Sequence, residues 1–83
     1  MSRFVFNTQK RELDHLLART PEERNGITWA LRLNHQALGF AAERRNLEAQ
    51  LQFMFVQTVV AALRNGRYEA DYGVFWRSSD RRR

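Results

Sequence analysis

ITWALRLNHQALGFAAERRNLEAQLQFMFVQTVVAALR, residues 27–64, decides how this chain folds. It contains no proline, and the next firm stop after it is Asn65-Gly66. Leu33, Phe40, Leu47, Met54 and Ala61 recur every seven residues, and Ala37, Arg44, Leu51 and Thr58 follow half a heptad on. Gln36, Glu43, Gln50, Gln57 and Arg64 share the same period and are all polar. A dry stripe and a wet stripe that keep phase across Gly39 predict one amphipathic helix, or two nearly collinear ones. Straight, it would measure about 57 Å at about 1.5 Å per residue. A compact monomer of this size is about 30 Å across. The helix therefore bends at Gly39 or pairs with a second chain. Between Leu51 and Leu63 apolar residues cover most of its circumference, and such a helix needs burial nearly all round. The expectation is a helical homodimer with Leu33, Phe40, Leu47, Leu51, Met54 and Phe55 at the interface.

Moving outward, Thr20-Pro21-Glu22-Glu23 reads as a helix start. Thr20 is the N-cap, Pro21 the first helical residue and Glu23 the capping-box partner. A shorter helix over residues 8–19 carries Leu13, Leu16 and Leu17 on one stripe and ends before the proline. Phe4-Val5-Phe6 reads as a short strand over residues 2–6 that needs something to pair with. In residues 67–76, Tyr68, Ala70, Tyr72, Val74 and Trp76 alternate with mostly polar positions, the period of a half-buried strand; the competing reading is a short terminal helix, and Gly73 weighs against it. The fold class expected is mainly α, with α+β character at the termini. One small helical domain would span residues 1–76, and a basic tail residues 77–83.

The chain has 83 residues, so it makes one domain at most, and its margin of stability is thin. Without cysteine it has no disulfides and few routes to a structural zinc site; oligomerisation is the remaining way to bury more surface. The N-terminal apolar triplet is too short for a signal peptide, and the most apolar window, interrupted by Gln52 and Gln57, is too short to span a bilayer. The expectation is a soluble, cytoplasmic protein with no membrane contact.

Catalysis requires a constellation, and none is present. The four glycines are scattered, so no phosphate loop forms, and there is no thiol or nucleophile elbow. Neither His15 nor His35 has the i, i+4 partner of a helical zinc site. His15 and Glu12 share a helix face, which reads as a solvated ion pair. Glu22 and Glu23 are favourable charges at a helix start, and Glu69 and Asp71 read as a salt-bridged edge beside Arg67 and Arg77. No enzyme, metal, cofactor or small-molecule substrate is expected.

Fourteen basic residues, thirteen of them arginine, against nine acidic ones give a formal charge of +5. That balance attracts polyanions, although a GC-rich genome also favours arginine over lysine. Arg77, Arg81, Arg82 and Arg83 follow Trp76, and Lys10-Arg11 forms a second cluster. These are the candidate phosphate contacts, with Trp76 available to stack on a base. The leading reading is a dimeric, non-enzymatic regulator or accessory factor that holds nucleic acid through its phosphates. The alternative is an inhibitor, encoded by a phage or mobile element and acting like an anti-CRISPR or a polymerase inhibitor. Its target would be an acidic or nucleic-acid-binding host protein.

Overall fold

The computed structural model describes residues 2–73, and every regular element in them is helical: α1 (Arg3–Asp14), α2 (Pro21–Ala42), α3 (Asn46–Arg64) and a short α4 over 68–73. The start of α2 follows its sequence. Pro21 is the first helical residue, and the Thr20 hydroxyl accepts from the Glu23 backbone N–H at 3.1 Å. Glu23 closes the cap one residue further out than a capping box would. Its carboxylate accepts from the Arg19 N–H (2.8 Å) and from the Arg19 guanidinium (3.2 and 3.1 Å). Those bonds from Arg19 hold the buried Glu23 carboxyl below its ordinary value.

The 27–64 segment is neither one helix nor bent at Gly39. It reverses at Glu43–Arg45, where Arg44 takes a left-handed φ of 62°. The Arg45 N–H donates to the Phe40 carbonyl (2.8 Å) and the Arg44 N–H to the Ala41 carbonyl (3.0 Å), the pair of bonds that closes a Schellman motif. The turn lets α3 run back antiparallel along α2, with Gln52 donating to the Leu33 carbonyl (2.9 Å) and to the Gln36 amide oxygen (2.8 Å). Gly39 lies inside α2, where an added Cβ would meet nothing within 4 Å. The longest extent of the molecule, 34 Å, is close to the length of α2 alone.

Neither expected terminal strand forms among the described residues. Residues 3–6 are the first turn of α1, because a helix puts Phe6, Gln9 and Leu13 on one buried face. It also satisfies its own backbone, which a lone three-residue strand cannot do. α1 ends at Asp14, short of residue 19. At the other end, Tyr68 and Tyr72 fit a period of two, but they also fit the i, i+4 spacing of α4, where their rings stack 5.4 Å apart. Arg67 and Asp71, four apart, are paired at 3.4 Å. Residues 74–76 of the expected strand and the basic tail lie outside the described residues.

Two apolar clusters form the core. One gathers Phe6, Ala37 and Ala49 with Phe53 and Phe40 packed against them. The other gathers Leu13, Ala30, Val56, Val59, Val60 and Tyr68. Between them lies a polar layer that joins three helices. Gln57 donates to the Gln9 side-chain oxygen, Gln9 donates to that of Asn34 (2.8 Å), and Asn34 donates to the Phe6 carbonyl (3.0 Å). Each member sits midway between its helix's contributions to the two clusters: Gln9 between Phe6 and Leu13, Asn34 between Ala37 and Ala30, Gln57 between Phe53 and Val60. Tyr68 closes the far end against Gly26, where an added Cβ would stand 2.5 Å from its ring carbon. Burial pushes the Tyr68 hydroxyl's pKa up, and Tyr72 adds to the shift.

Candidate binding faces

α1 covers one side of the α2–α3 hairpin, through Phe6 in the core and through Glu12, which meets Arg64 at 2.9 Å. Among the described residues, the side away from α1 is covered only in part, by Tyr72 of α4. On it α2 contributes Trp29, Leu33 and Phe40, and α3 contributes Leu51, Gln52 and Phe55, to one shallow apolar groove. Tyr72 meets it at 6.1 Å from Trp29 and 6.2 Å from Phe55 between ring centroids. Further out on α3, Leu47, Leu51, Met54 and Phe55 are 68%, 59%, 55% and 40% exposed. Leu33 and Phe40 are half-buried in the hairpin. Of the six residues expected at a dimer interface, four stand exposed together on α3, and the burial expected all round this helix covers only its inner face: Val56, Val59, Val60, Ala62 and Leu63.

The charges sort onto other surfaces. Six carboxylates are engaged with cations: Asp14 with Lys10, Glu23 with Arg19, Glu12 with Arg64, Asp71 with Arg67, and both Glu43 and Glu48 with Arg45. The Arg45 guanidinium also lies 4.7 Å over the Phe40 ring. Among the described residues, that leaves Arg3, Arg11, Arg24, Arg32 and Arg44 exposed and without a carboxylate partner. Arg24 and Arg32 lie two turns apart on the outer face of α2, with Thr28 and His35 beside them. Lys10 and His35 line the neighbouring α1–α2 groove.

Of the expected phosphate contacts, Lys10 and Arg11 are exposed on α1, Lys10 tied to Asp14 at 2.8 Å. Trp76, Arg77, Arg81, Arg82 and Arg83 lie outside the described residues. Arg24 and Arg32 escaped the sequence reading, although neither has an acid three or four residues away, which is a visible sign of an unmatched charge. His15 stands exposed at the C-cap of α1 and His35 on α2, and Glu12 pairs with Arg64 rather than with His15. No cluster of three or more metal-capable side chains occurs among the described residues, nor any helix long and apolar enough to cross a membrane. Comparison of the chain with protein-family models, with curated proteins and with solved structures finds no match in any of the three.

Proposed function

We propose that this protein is a small non-enzymatic binding protein that acts as a homodimer and holds a polyanion, nucleic acid by its chemistry, through guanidinium contacts to phosphates. The observation that carries the reading is the sorting of charge. The described carboxylates are largely engaged by half of the described cations, which leaves five exposed arginines among the described residues unmatched. Guanidinium groups suit phosphate oxygens, and contacts of this kind position a ligand without reading its sequence. Arg77 and Arg81 to Arg83 add to the same supply of cations.

Fluorescence anisotropy with labelled duplex and single-stranded oligonucleotides tests this. With five phosphates neutralised, affinity should fall about 500-fold between about 50 and about 200 mM salt. Changing Arg24 and Arg32 to Glu together should weaken binding and flatten that slope. Absence of binding at about 50 mM salt overturns the reading.

The open apolar face of α3 favours a second reading, a modulator that masks a surface of a larger protein, as a phage-encoded inhibitor would. Recovery of one stoichiometric protein partner from nuclease-treated lysate, with no oligonucleotide binding, decides for it.

A further inference from the structure

Within α3, Leu47, Leu51, Met54, Thr58 and Ala61 follow one another at spacings of four, three, four and three, and all five are exposed. That spacing is the a/d seam of a coiled coil. A helix in a finished globule turns such a seam inward, whereas here it faces out over about 21 Å of helix, with Tyr72 touching it at the Thr58 hydroxyl (2.8 Å). The seam holds large side chains at its N-terminal end and small ones at its C-terminal end.

We propose that this seam is where two copies of the chain associate, α3 packed against α3 in antiparallel fashion about a twofold axis. Leu51 of one copy then lies over Met54 of the other, and Leu47 over Thr58. The inference rests on the homodimer part of the function proposed above and is independent of its polyanion part.

Three observations select a second copy as the occupant. The first is charge. Each chain carries +5, so two copies repel except through a neutral face. The seam residues are all uncharged, and the nearest acid, Glu48, is already matched by Arg45 at 3.5 Å. The second is complementarity. An antiparallel pairing sets the large end of one seam on the small end of the other and opposes the two helix dipoles, which a parallel pairing would align.

The third is area. With about 150–250 Å² on each large side chain, the exposures of Leu47, Leu51, Met54 and Phe55 leave about 400 Å² of apolar surface in water. An interface core is about 65% apolar, so the face would bury about 600 Å² per copy, at the lower end for specific association. An interface of that size belongs with weak, transient associations, so dimer formation should depend on concentration.

Sedimentation of the full chain from about 5 to about 500 µM tests the proposal, with Leu51→Glu, Met54→Glu and paired cysteine variants alongside. The expected result is a monomer–dimer equilibrium that either Glu variant abolishes. Circular dichroism should be unchanged, since both side chains are exposed in the monomer. In the proposed register Leu47 lies about 16 Å from its own copy, beyond disulfide reach. Leu47→Cys and Thr58→Cys chains should accordingly cross-link when mixed and not when alone. A dimer that survives both Glu variants places the interface elsewhere; this overturns the proposal and leaves the homodimer standing. Cross-linking of Leu47→Cys with itself overturns the antiparallel arrangement. A chain that stays monomeric at about 500 µM overturns both seam and dimer, assigns the seam to residues 74–83 or to a foreign helix, and leaves phosphate binding to its own titration.

Discussion

The chain reverses twice with the same backbone device and different side chains. At Glu43–Arg45 the left-handed residue is Arg44, φ 62°; at Asn65–Arg67 it is Gly66, φ 69°. In the second turn the Arg67 N–H donates to the Ala62 carbonyl (2.8 Å) and the Gly66 N–H to the Leu63 carbonyl (3.4 Å), repeating the bonds of the first. The supports differ. The first turn is held locally, by Arg45 lying on Phe40 and reaching Glu43 and Glu48. The second is braced from a distance: Arg19, anchored by Glu23, donates to the Leu63 carbonyl at 3.0 Å and lies against Gly66. A tight turn can thus rest on the right residue or on its neighbours. In the first, cation–π and ion-pair contacts hold a residue that the backbone geometry disfavours.

Substitutions can break this contrast. The largest effect should come from Gly66→Val, which forces a β-branched residue into the left-handed region and should cost about 2 kcal/mol by thermal or chemical melting. Glu23→Gln should cost about 1.5 kcal/mol, because a charge-assisted set of bonds to Arg19 is lost and the brace on the second turn loosens. Acid should reproduce that loss. The folded state lowers the Glu23 pKa from its ordinary 4.5, so its contribution is full above that value and disappears as pH falls through the lowered one. Wild type and Glu23→Gln should therefore converge in stability only once pH has fallen through that lowered value.

Arg44→Gly should stabilise by about 1 kcal/mol, making the first turn resemble the second; a loss instead would show that the Arg44 side chain supports the turn. Gly39→Ala should add about 0.8 kcal/mol, as a helical glycine in the last turn of α2 with open space around it should. Arg45→Ala should cost about 0.5 kcal/mol, the smallest effect, because its partners are largely solvated.

The two turns also mark how far the residues can be read unaided. Asn65-Gly66 announces itself, and so does Thr20-Pro21, because their chemistry matches the local backbone. The first reversal does not: Arg44 is a poor left-handed residue, and the heptad pattern continues past it, so Gly39 draws the break instead. The same continuity predicts a helix of twice the real length while naming Leu47, Leu51 and Met54 correctly as one face. Spacing identifies a stripe but not which side of it the rest of the chain covers. Tyr68 and Tyr72 satisfy two periods at once, and only the close fit against Gly26 decides for the helix. Gln9 and Asn34 resemble surface residues, since their burial depends on partners 25 and 48 positions apart in the chain. Of the charges, the i, i+4 pairs and the unmatched Arg24 and Arg32 can be found by spacing, whereas Arg64 with Glu12 requires the fold.

The polar layer between the two clusters also sets an order of events during synthesis. Gln9 receives its bond from Gln57, 48 residues later, so α1 has no final seat until most of the chain exists. At about 5–20 residues per second, a ribosome needs about 2–10 s to bridge that gap. Throughout it the buried face of α1, with Phe6 and Leu13, waits in water or in the keeping of a chaperone. A chain of this size can collapse in microseconds once complete. Its rate of appearance as folded protein is then governed by translation of α3, and slow codons ahead of Gln57 would lengthen the exposure of its first helix.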